Sequence, residues 1–359
     1  MIPVTKPFLP PVEEYLSYVR DIWQRQWLTN NGPLVNELEV QLKQYLGVPH
    51  MLYVSNGTMA LQLAIKALKI KGDVITTPFS FIATTSSMLW EQCRPVFADI
   101  DPFTLTIDPE SVEAAITPRT TAILATHVFG NPCDIESLDD IARRHGLKII
   151  YDASHCFGTR YKGQSVYRYG DVCTTSFHAT KLFHTVEGGA VFTQDPDLLK
   201  TLSYMRNFGF DGPEHFACVG INAKNSEFHA AMGLVNLKYA NEILAKRKEI
   251  YLYYKEMLQH RNMTMQLIRK ETEYNYCYFP IILDSEAMVQ KAESYLNANL
   301  IFPRRYFYPS LNTLGFVDQC ECPVSQAISR RIMCLPMHHQ LRPEEADFVI
   351  RILLRAQHY

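Results

Sequence analysis

The chain has 359 residues, 47% of them hydrophobic and 20% charged, and a formal net charge of -2. Such a length exceeds one ordinary core, so two domains are expected, and the near-neutral balance gives no electrostatic reason for a nucleic acid or an anionic membrane as partner. The opening MIPVTKPFLPPVEEYL lacks a basic segment followed by an apolar one, and no apolar run approaches the ~20 residues of a membrane span. A soluble, cytoplasmic protein is expected. Nine cysteines are scattered along the chain, and free buried thiols are their expected state. Cys320-Glu321-Cys322 is the only close pair and lacks two further ligands at sensible spacing, so no metal site is expected.

In chain order, apolar β-rich runs lie at Met51–Val54, Asp73–Thr76, Pro95–Asp99, Thr121–Thr126, Leu147–Tyr151, Val172–Phe177 and Ala190–Thr193. Amphipathic segments at Thr58–Ile70, Phe81–Gln92 and Ile135–His145 fall between several of them. Strands alternating with helices of this length predict an α/β fold with a mostly parallel sheet covered on both faces. From Ser226 the texture changes. Ser226–His260 reads as one long helix, with no Gly or Pro after Gly233. A strand-like stretch (Tyr274–Leu283), a helix (Ser285–Ala298), an aromatic loop (Phe302–Tyr308) and two closing helices follow. The expected division is a large domain over 1–240 and a smaller α+β domain over 241–359.

Three strand ends carry residues suited to chemistry. Ser55-Asn56-Gly57-Thr58 links a strand to a helix, and exposed amides there favour a phosphate, although Ser55 or Asn56 as a plain helix cap is the commoner reading of such a turn taken alone. Asp152 ends the Leu147–Tyr151 strand, where ligands of open α/β sheets bind. It is read either as another cap or as the partner of a cationic ring nitrogen. His155 lies three residues on. Lys181 follows Thr174–Thr180 in a bend of small polar residues before Glu187-Gly188-Gly189. A desolvated lysine there loses its proton and becomes an amine nucleophile.

At these residues the chain resembles the DegT/DnrJ/EryC1/StrS family of pyridoxal-phosphate sugar aminotransferases, of the aspartate-aminotransferase fold type. The likeness runs from Trp27–Pro33 to the final helices. SNGTMAL (Ser55–Leu61), TPFSFIATTSS (Thr77–Ser87), PVFADIDPFTLTID (Pro95–Asp108), DASH (Asp152–His155), SFHATK (Ser176–Lys181), EGG (Glu187–Gly189) and GINAKNSEFHAAMGL (Gly220–Leu234) follow in the family's order. The resemblance implies pyridoxal 5'-phosphate as cofactor, with Lys181 as its Schiff-base lysine and proton shuttle and Asp152 as the partner of its ring nitrogen. It implies that His155 contacts the cofactor near its phenolic oxygen and that Phe81 stacks on its ring. Gly57, Thr58 and Ser176 match the phosphate contacts. Asn222 matches an asparagine that reaches the phosphate from the neighbouring subunit, which implies a homodimer with shared active sites.

Some positions depart from the family's commonest residues. Ser154 and Ala179 stand where Ala and Pro are frequent and are expected to touch loop shape more than chemistry. Ile221, Lys224 and Asn225 replace Tyr, Arg and Met and are expected near the subunit contact. Some relatives that catalyse dehydration carry His at the lysine position; here it is Lys181. The implied activity is transfer of an amino group from L-glutamate to a nucleotide-linked keto sugar. The segment Phe302–Pro309 resembles that of members acting at C-4 of dTDP-4-keto-6-deoxyglucose; a dTDP-3-keto sugar is the alternative acceptor. Arg304 or Arg305 is a candidate for the diphosphate, and Tyr306 or Tyr308 for base or sugar. The same segment is also read as a structural loop whose aromatics pack on the large domain. A non-catalytic sugar-nucleotide-binding relative is a further alternative. A nicotinamide enzyme is disfavoured, because no G-x-G-x-x-G follows a strand. His178 is expected to support the cofactor pocket; His127, His184, His338 and His339 are expected to be structural or surface residues.

Overall fold

The structure is a computed structural model that describes residues 1–358. Seven strands form its main sheet: β1 (Met51–Val54), β2 (Gly72–Thr76), β3 (Cys93–Phe97), β4 (Thr120–Thr126), β5 (Lys148–Asp152), β6 (Val172–Ser176) and β7 (Gly189–Phe192). Their order is β1-β7-β6-β5-β4-β2-β3. All neighbours are parallel except β7, which runs antiparallel to both β6 and β1. These are the seven apolar runs read from the sequence, with ends displaced by one or two residues or not at all.

Alternation along the strands feeds two cores. Ile123 and Ala125 of β4, with Ile149 and Tyr151 of β5, belong to one core with the buried residues of α1 (Pro33–Leu46). Ala122, Leu124 and Ile150 point the other way, toward α2 (Gly57–Ala67) and Met88 of α3 (Ile82–Trp90). The first face is also covered by α4 (Ile135–His145), and the second by Leu202 of α5 (Pro196–Arg206). With both faces buried, the strands become continuous apolar runs, and functional groups are left to the strand ends.

The expected single helix over Ser226–His260 is instead two, α6 (Glu227–Lys238) and α7 (Ala240–Leu258), broken at Tyr239. No Gly or Pro marks the break. Tyr239 is held from outside the helix: its hydroxyl bonds the Glu14 carboxylate and its ring packs 5.1 Å from that of Phe8. Beyond it, α7 joins a further core with β8 (Thr264–Met265), β9 (Phe279–Ile282) and β10 (Ile332–Leu335), an antiparallel sheet in the order β8-β9-β10. The helices α8 (Glu286–Ala298) and Pro343–His358 complete it. The first residues of the chain belong here as well, since Ile2–Pro3 pairs in parallel with Ile301–Phe302.

A wholly buried carboxylate ties the N-terminal helices to α6. Glu227 accepts from the amides of Leu34 and Val35, both at 3.0 Å, and so caps α1 from far along the chain. Arg25 lies 3.4 Å from it, and the Glu227 amide donates to Leu28 at 2.9 Å. The helix start itself offers only Gly32 and Pro33, with no capping side chain. Glu227→Gln replaces one acceptor by a donor facing an amide. It is expected to cost about 1–3 kcal/mol, read as a lower urea midpoint; an unchanged midpoint would show that water or a rearranged side chain caps α1 equally well.

Candidate active site

The carboxyl ends of β1, β5 and β6 converge because β7 enters between β1 and β6 in the opposite direction. Gly189 begins β7 level with Val54 and Ser176. A Cβ on Gly189 would lie 2.6 Å from the Asn56 carbonyl carbon and 2.8 Å from the Gly57 nitrogen. One on Gly57 would lie 2.9 Å from the Ser176 Cβ. Only glycine permits so close an approach, which is the physical content of the EGG and SNGT motifs.

At this junction Asn56 is the N-cap of α2, accepting from the Met59 amide at 2.8 Å. The capping reading of Asn56 therefore holds. The amides of Gly57 and Thr58, in the same first turn, have no acceptor among the described residues. Beside them stands Ser176, whose hydroxyl accepts only the His178 amide, at 3.3 Å. Two free amides at a helix N-terminus beside a hydroxyl fit an anion.

Asp152 is 5% exposed and has no cation within ion-pair distance among the described residues. Its Oδ2 accepts from the Thr84 hydroxyl at 2.8 Å; its Oδ1 accepts from the Ser154 amide at 3.1 Å and the Ser154 hydroxyl at 2.6 Å. Thr84 in turn lies 2.8 Å from Ser80, and Ser80 lies 3.0 Å from Thr126. A buried carboxylate served only by neutral donors still lacks a countercharge. The departure at Ser154 is thus chemical, which corrects its expected role in loop shape: its hydroxyl fixes one oxygen of Asp152. Sequence reading also missed Thr84, Ser80 and Thr126. The available signal was Thr84-Thr85-Ser86-Ser87, a polar run inside a helix that packs on the sheet; Thr84, Thr85 and Ser87 are all buried.

His155 and Lys181 line one small cavity with Ser154, Ser176 and Thr180. The Phe129 amide donates to His155 Nδ1 at 3.1 Å, which leaves the proton on Nε2. Burial, helped by the charge of Lys181, holds the His155 pKa well below the usual histidine range, so the ring is a neutral donor. It stands parallel to the rings of Phe129 and Phe307. Burial also lowers the pKa of Lys181, and the Asp152 carboxylate opposes that shift. No carboxylate lies within ion-pair distance of Lys181 among the described residues. Desolvation favours the free amine, the form that attacks a carbonyl.

A cleft of about 930 Å³ adjoins this cavity, and Thr180 lines both. Phe81 lines the cleft, 57% exposed and without an aromatic neighbour among the described residues. Arg304, Arg305, Tyr306 and Tyr308 line it too, so the two expected parts of the site meet. Arg305 is already engaged, donating to Glu286 at 2.8 Å and to the Arg330 carbonyl at 3.0 Å. Arg304 is exposed and has no carboxylate partner among the described residues. Tyr306 packs edge-on against Tyr278, 5.7 Å between centroids.

Asn222 is exposed and lines neither cavity. Ile221 is exposed with it, and Lys224 donates to Asn207 at 2.8 Å. Asn225 is buried within the chain, donating to the Tyr53 hydroxyl at 2.9 Å and the Glu187 carbonyl at 3.0 Å. His178 is exposed and bonded to Thr180 at 2.9 Å rather than lining the cavity. His127, His184 and His338 are buried.

The donor set describes one ligand: a cationic ring nitrogen for Asp152, a carbonyl for the Lys181 amine, a hydrogen-bond acceptor for His155 and a phosphate for the turn at Gly57. Pyridoxal 5'-phosphate carries all four groups, so the residues fit it. The model of the DegT/DnrJ/EryC1/StrS aminotransferase family matches residues 11–354. The chain is 40% identical over 354 residues to a dTDP-4-amino-4,6-dideoxy-D-glucose transaminase of Shigella dysenteriae, covering 97% of this chain and 96% of that one. It is 38% identical to the Escherichia coli protein of the same description, over 98% of each. The solved structure of DesI in the presence of its TDP-sugar product superposes with a TM-score of 0.93 at 32% identity, covering 99% of this chain and 93% of that one.

The opposition between Lys181 and Asp152 is measurable without cofactor. Asp152→Asn removes the anion that raises the lysine's pKa, so the pKa falls further. In cofactor-free protein, the pH midpoint for acylation of Lys181, followed by mass spectrometry, should move to lower pH. An unmoved midpoint would show that the two groups do not sense each other.

Proposed function

The chain belongs to the DegT/DnrJ/EryC1/StrS aminotransferase family, and we propose that it moves the amino group of L-glutamate to C-4 of dTDP-4-keto-6-deoxyglucose. The product is dTDP-4-amino-4,6-dideoxyglucose. The observation that carries the chemistry is a desolvated lysine sharing a cavity with a neutral histidine, within electrostatic reach of a buried carboxylate that lacks a countercharge. The choice of sugar is supported by the two transaminases that the chain matches over nearly its whole length.

Pyridoxal phosphate, when bound, supplies an aldehyde that condenses with amines and a protonated ring that withdraws electrons. The protein's residues do the rest. Asp152 would hold the ring-nitrogen proton, with Thr84 and Ser154 keeping the carboxylate aimed. His155, protonated on Nε2, would donate to the phenolic oxygen, and Phe81 would cover the ring. Gly57, Thr58 and Ser176 would hold the phosphate. Lys181 would hold the aldehyde, and its free amine would take the proton from the glutamate α-carbon. In the return half it delivers a proton to C-4 of the sugar. Arg304, the free guanidinium of the cleft, pairs with the sugar diphosphate.

Absorbance tests this directly. The holoenzyme should show a near-ultraviolet or visible band that L-glutamate shifts and dTDP-4-keto-6-deoxyglucose restores. Lys181→Ala should abolish turnover while leaving the fold intact. A shift with glutamate but no return would discard this sugar, and normal turnover in the alanine variant would remove the role of Lys181.

The acting form is a homodimer in this reading, with Asn222 bonding the phosphate of the partner's site. Its exposure, beside the exposed apolar side chains of Phe208, Phe216 and Val219, supports that placement. Asn222→Ala should release cofactor faster on dialysis without changing the sedimentation of the dimer. A monomer that keeps its cofactor tightly would rule the shared site out.

A further inference from the structure

Within the 930 Å³ cleft, one end is built differently from the lysine end. The Arg305 guanidinium carbon lies over the Tyr308 ring, 3.7 Å from its centroid. Arg305 is not free to slide, because Glu286 and the Arg330 carbonyl hold its Nη2. The arginine thus sits against one face of Tyr308, and the residue remains 47% exposed. A flat aromatic surface held from behind and open in front suits the π-face of a planar heterocycle.

The same wall carries solvent-accessible hydrogen-bonding groups that have no protein side-chain partner among the described residues. Glu286, Glu293 and Asn297 all belong to α8, spaced by seven and then four residues. At 100° per residue those steps return to within about 20° of one direction, so the three side chains share a face. Glu286 supports Arg305, while Glu293 and Asn297 line the cleft. Neither the Glu293 carboxylate nor the Asn297 carboxamide has a side-chain partner among the described residues. A carboxylate and a carboxamide one turn apart present an acceptor and a donor side by side. That pattern complements the edge of a base whose ring N–H adjoins a carbonyl, as in thymine.

We infer that Tyr308, backed by the Arg305–Glu286 pair, is the stacking platform for the substrate's nucleobase, and that Glu293 and Asn297 read the base's N–H and carbonyl edge. This rests on the nucleotide-sugar reading above and assigns that nucleotide its place. It separates the roles of the adjacent arginines: Arg304 meets the diphosphate and Arg305 builds the base site. Glu286 and Arg305 are positioning residues that act through Tyr308.

Binding to the holoenzyme, measured by calorimetry with dTDP, N3-methyl-dTDP and inorganic pyrophosphate, tests the assignment without turnover. Wild type should bind dTDP more tightly than pyrophosphate. Tyr308→Leu should weaken dTDP roughly 5- to 150-fold, leave pyrophosphate unchanged, and be rescued by Tyr308→Phe. Blocking the base N–H should cost wild type roughly tenfold or more, and Glu293→Ala should erase that preference. Unchanged dTDP affinity in Tyr308→Leu, or no penalty for N3-methyl-dTDP in wild type, would overturn the base site while leaving amino transfer to the keto sugar intact. The second of these needs no variant, so misfolding cannot obscure it. Equal affinity of wild type for dTDP and pyrophosphate would also overturn the site; if dTDP-4-keto-6-deoxyglucose failed to react as well, the nucleotide-sugar reading would fall with it.

Discussion

A buried negative charge without a countercharge organises this molecule's active centre. Asp152 sits at the end of a central strand, 5% exposed, where an ionised carboxylate is costly unless its oxygens are bonded. Neutral groups meet part of that need: Thr84 on one oxygen, and the Ser154 amide and hydroxyl on the other. Their aim is stiffened by the hydroxyls of Ser80 and Thr126. What remains is a preference for a cation in one direction. The nearby lysine does not supply it as a contact ion pair, and its own burial works against its charge. The site is therefore preorganised for a cationic ligand, with an amine left able to act as a nucleophile.

The sheet topology makes that arrangement possible. The antiparallel β7 draws β1 and β6 to either side of itself, and glycine at 57 and 189 lets their ends approach within side-chain distance. The Gly57 turn is thereby brought against Ser176, which lines the same cavity as Lys181. Strand ends are rigid, so the groups that do chemistry inherit the precision of the sheet. The cleft beyond is of another kind. It is walled by α8 and the Phe302–Pro309 segment, and its recognition groups come from packed aromatics and a helix face.

Much of the catalytic end was legible in the sequence because each motif marks a strand end. Seven apolar runs located the strands, and Asp152 and Ser176 close two of them. Neighbourhood was not legible. Nothing local to Ser154 distinguishes a hydroxyl that shapes a loop from one that bonds Asp152. The arginine pair at 304 and 305 looked interchangeable, yet only one is spent on Glu286, nineteen residues away in sequence. The break at Tyr239 was invisible for the same reason: it falls where Phe8 and Glu14 of the opening segment contact that residue from outside the helix.

By itself the sequence determined the α/β class, the order of the strands along the chain and the placing of Lys181, Asp152 and the Gly57 turn at strand ends. These follow from local properties: hydrophobic period, turn chemistry and residue type. Only the tertiary structure decided which strands became neighbours, which hydroxyls serve Asp152, which nitrogen of His155 carries the proton, and which arginine remains free. Each of those depends on contacts between residues far apart in the chain. Such contacts are set by how the two faces of the sheet and the cleft walls pack, and no window of sequence contains both partners.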